Sequence, residues 1–134
     1  MADESRKILV VDDEEDIVVE TKDILERKGF SVFTAMESNS ALDIFKKEKP
    51  RICILDVHMP KSTVDGIKIL EEIRKLDKNC YCIMLSRVDD KDKIEAARSL
   101  GANRYTLKPI DYPELLELVN DAVKALESRG EHHG

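Results

Sequence analysis

The stretch Ile8-Leu9-Val10-Val11-Asp12-Asp13 is a short apolar run that ends in two carboxylates. Three later stretches are also apolar runs that end in a charged or hydroxyl residue. These are Ile52-Cys53-Ile54-Leu55-Asp56, Ile83-Met84-Leu85-Ser86 and Tyr105-Thr106-Leu107-Lys108-Pro109. Apolar runs of this length, bounded by polar residues, are typical of buried parallel strands. If the four runs are neighbouring parallel strands, their polar ends gather at the edge where open α/β sheets bind ligands. The pattern therefore predicts one polar crevice.

Amphipathic stretches separate the apolar runs, and the alternation occurs five times. We expect strands over 7–12, 31–35, 52–56, 81–86 and 104–107. We expect helices over 14–28, from Ser38 or Asn39 to just before Pro50, over 65–76, over 90–100 and around the apolar stripe from Leu115 to Leu126. This alternation indicates a parallel sheet with helices on both faces. The predicted fold is a doubly wound, five-stranded α/β sandwich.

The composition limits the classes of function. The net charge of −6 argues against a nucleic-acid-binding surface, which needs a basic face. No stretch approaches the roughly 18 apolar residues of a membrane span, and residues 1–5 are not a signal peptide. Cys53, Cys80 and Cys82 lack metal-ligand spacing, and we interpret them as reduced structural thiols. We expect a soluble, cytoplasmic protein that binds neither nucleic acid nor membrane directly.

The carboxylates of Asp12, Asp13 and Asp56 are predicted to lie together at the ends of adjacent strands. Like charges in one crevice repel, so that either one carboxyl is protonated or a divalent cation neutralises the cluster. An all-oxygen ligand set selects Mg²⁺ or Mn²⁺ over zinc. The simpler interpretation, acidic residues that only cap the first helix, accounts for Asp13 alone but not for all three with a lysine opposite.

Lys108 and Ser86 complete the predicted crevice. An ammonium that faces carboxylates can pair with one of them and later with a phosphoryl oxygen, and a hydroxyl can donate to the same group. A nucleophile, a metal and donors to the phosphoryl oxygens are the parts that phosphoryl transfer needs. Because the sequence has no Walker loop or other glycine-rich nucleotide cradle, ATP is not expected to be a direct substrate.

Taken together, these pieces resemble the receiver domain of response regulators in two-component (phosphorelay) signalling systems. The matching stretches are residues 8–14, 56–60, 85–86 and 101–109. The resemblance implies a flavodoxin-like fold with strand order 2-1-3-4-5 and five helices. It also implies one receiver domain over residues 6–127, with an N-terminal extension over 1–5 and a disordered tail over 128–134.

The resemblance also assigns roles to residues. It implies that Asp56 accepts a phosphoryl group from a sensor histidine kinase or a histidine phosphotransfer protein. The Mg²⁺ ligands would be Asp12, Asp13, Asp56 and the backbone carbonyl of His58. Ser86 is then the switch hydroxyl and Lys108 the phosphate-contacting lysine. Tyr105 is the aromatic switch on the surface formed by helix 4, strand 5 and helix 5, through which an unidentified effector would be bound.

Two features depart from the family pattern. The loop after Pro60 holds four residues, 61–64, where the family usually has two, which lengthens the segment beside the acceptor. Arg87 follows Ser86 where the family usually has a small residue, and we expect it to reach the phosphorylated site and slow the loss of phosphate. His58 and Val88 occupy positions that tune the hydrolysis of the aspartyl phosphate in the family.

Two other functions stay open at this point. One is a Mg²⁺-dependent phosphatase of the haloacid-dehalogenase type. Such enzymes have a DxD pattern after the first strand, whereas Asp12 and Asp13 are adjacent here. The other is a receiver-like docking domain that does not cycle phosphate. We expect a binding switch rather than an enzyme, with at most self-phosphorylation from a phosphodonor and autodephosphorylation.

Overall fold

The fold is a five-stranded parallel sheet with helices packed on both faces. The computed structural model describes residues 6–60, 62, 64–87 and 90–130. Its strands are β1 (Lys7–Val11), β2 (Ser31–Ala35), β3 (Ile52–Asp56), β4 (Tyr81–Ser86) and β5 (Arg104–Leu107). All neighbours pair in parallel, in the order β2-β1-β3-β4-β5. The predicted doubly wound fold and strand order are confirmed.

The helices alternate with the strands. They are α1 (Glu15–Arg27), α2 (Ser38–Glu48), α3 (Gly66–Leu76), α4 (Lys91–Ser99) and α5 (Tyr112–Gly130). Helix α5 continues through residues 128–130, which the sequence placed in a disordered tail. Residues 131–134, like the predicted N-terminal extension over 1–5, lie outside the described residues. No helix in the described part of the chain has the length and apolar character needed to cross a bilayer.

Strand residues alternate between two apolar cores, one on each face of the sheet. Along β1, Ile8 and Val10 face the core that α5 covers, and Leu9 and Val11 face the core beside α3. The stripe predicted for α5 is buried as expected; it comprises Leu115, Leu118, Val119, Ala122, Val123 and Leu126. The three central strands β1, β3 and β4 are buried on both faces, which is why they read as nearly continuous apolar runs, whereas the edge strands β2 and β5 are partly exposed.

Two helix details differ from the prediction. In α1 the spacing of apolar residues predicts one stripe of Ile17, Thr21, Ile24 and Leu25, but Ile17 and Ile24 are only half-buried. The fully packed positions are Val18, Thr21 and Leu25. Helix α2 is capped by Glu37 rather than by Ser38 or Asn39, since the Glu37 carboxylate accepts hydrogen bonds from the N–H groups of residues 39 and 40. Glutamate is not among the preferred N-cap residues, so N-cap propensity alone favoured Ser38 or Asn39, one or two residues further along the chain.

The three cysteines are free and buried, as predicted. Cys53 lies on β3, Cys82 lies opposite it on β4, and Cys80 just precedes β4. Burial raises the pKa of the Cys53 thiol well above its ordinary value. A thiol kept protonated in this way is a poor nucleophile, so that Cys53 acts as a small apolar core residue.

Candidate functional site

The parallel register brings the polar strand ends together at one edge of the sheet. Val11 lies opposite Leu55, and Asp56 lies opposite Leu85, so that the residues that end β1, β3 and β4 are neighbours. Asp12, Asp13 and Asp56 are almost completely buried there. Each offers one carboxylate oxygen, and these three oxygens lie within 4.8 Å of one another. The predicted acidic cluster is therefore present.

Backbone N–H groups orient two of these carboxylates. The N–H of Glu14 donates to Oδ1 of Asp12 at 3.0 Å, and the N–H of His58 donates to Oδ1 of Asp56 at 3.3 Å. Each bond joins a side chain to the backbone two residues further on, which is the Asx-turn pattern that aspartate favours. The second oxygen of each carboxylate is thereby directed toward the crevice.

Lys108 lies across the cluster. Its Nζ atom donates to Oδ2 of Asp12 at 3.0 Å and to Oδ2 of Asp56 at 3.2 Å. The backbone N–H of Lys108 donates to the carbonyl of Ser86 at 2.8 Å, and the Lys108–Pro109 peptide bond is cis. Burial would lower the pKa of Lys108, but its hydrogen bond to Asp12 and the charge of Asp56 raise that pKa above its ordinary value. The ammonium is therefore a permanent positive charge in the site.

The Asp56 carboxyl has a raised pKa. Burial and the charge of Asp12 raise the pKa of Asp56 to about 7, against the opposing effects of Lys108 and the His58 N–H. Without a cation, the crevice therefore holds a proton that it readily gives up near neutral pH. A divalent cation would displace that proton, because metal binding favours the deprotonated carboxylate. Three buried carboxylates with one lysine are chemically suited to a hard, oxygen-loving cation.

Ser86 is buried at the end of β4, beside the carboxylates of the neighbouring strand. Arg87 follows it and is exposed; its backbone N–H donates to Oδ2 of Asp90 at 2.8 Å. A cleft of about 400 Å³ opens here, and it is lined by Ser86, Arg87, Lys91, Asp92, Ile94, Glu95 and Leu107. Val88, the other predicted modulator in this loop, lies outside the described residues. His58, two residues after Asp56, is half-exposed.

Tyr105 lies on β5 and packs against the core beside α3. Its hydroxyl is buried and has no hydrogen-bond partner among the described residues. The guanidinium of Arg98, on α4, lies 5.7 Å from the centre of the Tyr105 ring. A buried hydroxyl without a partner costs free energy, and a side-chain position with the hydroxyl in water would relieve that cost. This geometry suits the switch role that the resemblance gives to Tyr105.

The lengthened loop after Pro60 is attached to α2. Ser62 Oγ accepts a hydrogen bond from the N–H of Ser38 at 3.0 Å, and Val64 packs against the core beside α3. Lys61 and Thr63 lie outside the described residues. Ser62 therefore satisfies one of the free N–H groups at the start of α2. The sequence did not predict this contact.

Gly66 packs against the backbone of Asp56, a contact that the sequence did not predict. A Cβ atom added to it would overlap the carbonyl oxygen of Asp56 and lie 2.8 Å from the Asp56 carbonyl carbon. The N–H of Gly66 also donates to the carbonyl of Val57 at 3.2 Å. The start of α3 therefore rests directly on the backbone of Asp56. The Asp65-Gly66 pair is visible in the sequence, but only the close approach explains why a side chain is excluded there.

A wider cleft lies elsewhere. About 600 Å³ in volume, it lies at the amino ends of the strands, and it is lined by Lys7, Phe45, Lys46, Lys47, Glu48, Lys49, Arg51, Leu76 and Asp77. Because parallel strands all run in one direction, this cleft is at the edge opposite to the carboxylates. Volume alone would therefore point to the wrong edge, whereas the convergent carboxylates and Lys108 mark the site.

The strand order and the acidic crevice at the carboxyl edge place the chain in the class of small doubly wound α/β domains that act as signalling switches. Within that class, the chain belongs to the response regulator receiver domain family, whose sequence profile matches residues 8–120. Response regulators are the receiving components of two-component systems, and the resemblance drawn from the motifs is confirmed. The family is one of switches and not of catalytic enzymes.

Individual relatives agree with this assignment. The chain is 34% identical over 120 residues to sporulation initiation phosphotransferase F of Bacillus subtilis, and the match covers 90% of this chain and 92% of the relative. It is 39% identical over 127 residues to the alkaline phosphatase synthesis transcriptional regulatory protein PhoP of the same organism. That match covers 95% of this chain but only 50% of PhoP, so that the chain spans about half the length of this relative.

Solved structures show the same fold. A response regulator receiver domain protein from Clostridium thermocellum superposes with a TM-score of 0.83 at 35% identity, over 90% of this chain and 96% of that one. The receiver domain of NtrX from Brucella abortus gives a TM-score of 0.82 at 32% identity, over 87% and 98% of the two chains. Nothing in these comparisons favours the alternative of a haloacid-dehalogenase-type phosphatase.

Proposed function

We propose that Asp56 accepts a phosphoryl group from the phosphohistidine of a sensor histidine kinase or a histidine phosphotransfer protein. A carboxylate oxygen of Asp56 bonds to phosphorus, the P–N bond of the donor breaks, and the imidazole leaves as the phosphoryl group becomes an acyl phosphate. The main observation in support of this proposal is the position of the Lys108 ammonium, which bridges Asp56 and Asp12 inside a buried acidic cluster. An acceptor needs such a cation to hold the incoming negative oxygens.

We assign the cation site to Asp12, Asp13, Asp56 and the backbone carbonyl of His58. When bound, Mg²⁺, or Mn²⁺ in its place, would neutralise the charges that the carboxylates and the phosphoryl oxygens bring together. The chain's own groups position the carboxylates. Backbone N–H groups orient Asp12 and Asp56, and the Lys108 ammonium lies between them and donates to both. Small phosphodonors should serve as well, since the acceptor chemistry lies within this chain. In autodephosphorylation, water then attacks the phosphorus of the acyl phosphate, the bond between phosphorus and the Asp56 oxygen breaks, and inorganic phosphate leaves the free carboxylate.

The switch follows from the neighbours of the acceptor. Ser86 and Lys108 are joined by a backbone hydrogen bond, so that a phosphoryl group that attracts both side chains acts on the ends of β4 and β5 together. Tyr105 responds to that shift, and the surface formed by α4, β5 and α5 changes its affinity for an effector. Leu107 on this surface is 55% exposed, an apolar contact available to a partner. We propose a cytoplasmic setting with no direct binding to nucleic acid or membrane.

The direct test is phosphorylation with acetyl phosphate. In the presence of Mg²⁺, the intact mass should increase by one phosphoryl group, and peptide mapping should locate that group on Asp56. Chelation of the divalent cation should slow the uptake by at least about tenfold, because the metal's stabilisation of the developing charge is worth several kcal/mol. Mg²⁺ added in excess over the chelator is the control and should restore the rate. Equal labelling with and without free cation would contradict the assigned cation site.

Arg87 provides a second prediction about the lifetime of the phosphoryl group. We propose that its guanidinium reaches the phosphorylated site, so that Arg87→Ala should lose phosphate about two- to fivefold faster, as expected for a partly exposed ion pair. Arg27→Ala, which removes the same charge from the exposed surface of α1, is the matched control. Radiolabel or mass decay after removal of the donor gives the rate. An unchanged or slower loss in Arg87→Ala would contradict this role.

A further inference from the structure

Asp65 lies at the junction of three parts of the molecule. As the N-cap of α3, its Oδ1 atom accepts hydrogen bonds from the N–H groups of Ile67 at 3.1 Å and Lys68 at 3.2 Å. Its Oδ2 atom accepts from Lys93 Nζ, on α4, at 2.9 Å. Burial raises the pKa of Asp65, but Lys93 and the two N–H groups outweigh that effect, and the pKa lies below its ordinary value. The carboxylate is therefore a fixed negative anchor for α4.

The same junction is fastened to the acceptor. Gly66, the next residue, rests against the carbonyl of Asp56 and donates its N–H to the carbonyl of Val57. A displacement of Asp65 relative to Asp56 would break this contact. Lys93 is therefore tied through Asp65 to the segment that carries the phosphoryl acceptor.

Helix α4 is held mainly at its ends. Of its residues, only Ala97 is buried, so that apolar packing contributes little to its position. Near its carboxyl end, the Arg74 guanidinium donates to the carbonyls of Leu100 at 3.2 Å and Gly101 at 2.8 Å. Near its amino end, Lys93 pairs with Asp65. Release of the Lys93 contact would thus free the end of α4 that lies next to β4.

That end of α4 is also connected to Ser86. The N–H of Arg87 donates to Oδ2 of Asp90 at 2.8 Å, and the N–H of Asp90 donates to the carbonyl of Arg87 at 3.1 Å. Asp90 is the N-cap residue that directly precedes α4. A movement of Ser86 toward a phosphoryl group would therefore pull on the amino end of α4, which Lys93 holds in place.

We propose that the Asp65–Lys93 ion pair is a restraint that holds α4 in the arrangement seen here, in which Lys108 pairs with Asp12 and Asp56, and so opposes occupancy of the phosphoryl site. The inference rests on the proposed function of Asp56. Asp65 and Lys93 are positioning residues, since they act through α4 and not on the phosphoryl group. By linkage, a contact that favours the empty arrangement weakens binding of whatever favours the other one.

The test uses beryllofluoride with Mg²⁺ as a tetrahedral mimic of the aspartyl phosphoryl group, titrated by calorimetry. Lys93→Met should bind it about two- to fivefold more tightly than the wild type, the size expected for a partly exposed ion pair. The sign is informative. Loss of a positive charge near the site would by itself weaken binding of an anion, so that tighter binding requires release of a restraint.

Three further variants isolate the pair. Lys93→Arg keeps the ion pair and should bind as the wild type does. Lys68→Met removes the same charge from the exposed surface of α3 and measures the long-range effect alone. In an Asp65→Asn background, which keeps an N-cap oxygen, Lys93→Met should give no further tightening. Binding by Lys93→Met that is no tighter than binding by Lys68→Met would overturn the proposal.

Amide hydrogen exchange of the unliganded chain separates this inference from the proposed function. The first turn of α4 should exchange faster in Lys93→Met than in Lys68→Met, whether or not Asp56 is an acceptor. If the wild type binds no beryllofluoride, the proposed function is contradicted. The exchange rates still show whether the Asp65–Lys93 pair restrains the first turn of α4. Equal exchange in the two variants would overturn the proposed restraint.

Discussion

Asp56→Asn should take up no phosphoryl group from acetyl phosphate and Mg²⁺ under conditions in which the wild type gains one. This is the largest effect we expect, because the amide that replaces the carboxylate is not a nucleophile. The substitution keeps the shape of the side chain in a site that is almost completely buried. Loss of uptake would therefore report the loss of the reacting group and not a collapse of the crevice. Intact-mass spectrometry of the two proteins gives the result directly.

Asp43→Asn is the matched control for this experiment. Asp43 is exposed on α2, and its replacement changes the net charge by the same amount while it leaves the crevice intact. Uptake by this variant should equal that of the wild type. Equal phosphorylation of Asp56→Asn and the wild type would refute Asp56 as the acceptor. If the wild type itself takes up nothing, the chain is a docking domain that does not cycle phosphate.

The site was predictable because each of its residues marks the end of a strand. A strand buried on both faces is apolar throughout, so that the first polar residue also marks where the strand leaves the core. Asp56 and Ser86 are the last residues of β3 and β4, and Asp12 and Lys108 directly follow β1 and β5. Parallel pairing then places all four at one edge. The Lys108 contacts with Asp12 and Asp56 follow from that geometry.

Contacts between loops were not predictable in the same way. Nothing in the pattern around Ser38 indicates that its N–H is satisfied by Ser62, which lies 24 residues away in the lengthened loop. Likewise, Glu37 caps α2 because its longer side chain folds back on the N–H groups of residues 39 and 40. Helix phase is uncertain for a related reason: Val18 and Ile17 are both apolar, and only packing on the sheet decides which one is buried.

The role of Gly66 also depends on a tertiary contact. Its φ angle is not in the left-handed region, where only Gly29 and Gly101 lie among the glycines of the described ranges, so that no turn requirement explains it. The requirement is space: the backbone of Asp56 occupies the volume that a Cβ atom would need. Sequence shows a glycine after Asp65 but not the strand end against which it packs.

Gly66→Ala should therefore both destabilise the fold and impair the acceptor. The added Cβ would overlap the Asp56 carbonyl oxygen and approach Val57 Cα to 3.2 Å, and both are backbone atoms that cannot rotate away. Either α3 or the end of β3 has to move. We expect a loss of about 3 kcal/mol in the free energy of unfolding, at the upper end of the usual cost of overpacking. We also expect at least a tenfold slower phosphoryl uptake, since displacements near 1 Å cost reactivity of roughly this order or more.

Gly29→Ala separates these two effects. Gly29 has a φ of +92°, and a Cβ there would meet only the side chain of Arg6, at 3.5 Å. The left-handed backbone should cost about 1–2 kcal/mol. Gly29 precedes β2 at the edge of the sheet opposite to the carboxylates, so uptake by Gly29→Ala should stay at the wild-type rate. Urea unfolding gives the free energy of unfolding of each variant. Acetyl phosphate labelling without urea, under conditions in which each variant is folded, gives the rate of phosphoryl uptake. If Gly66→Ala were labelled as fast as Gly29→Ala, the contact between Gly66 and Asp56 would be a matter of stability alone, with no part in placing the acceptor.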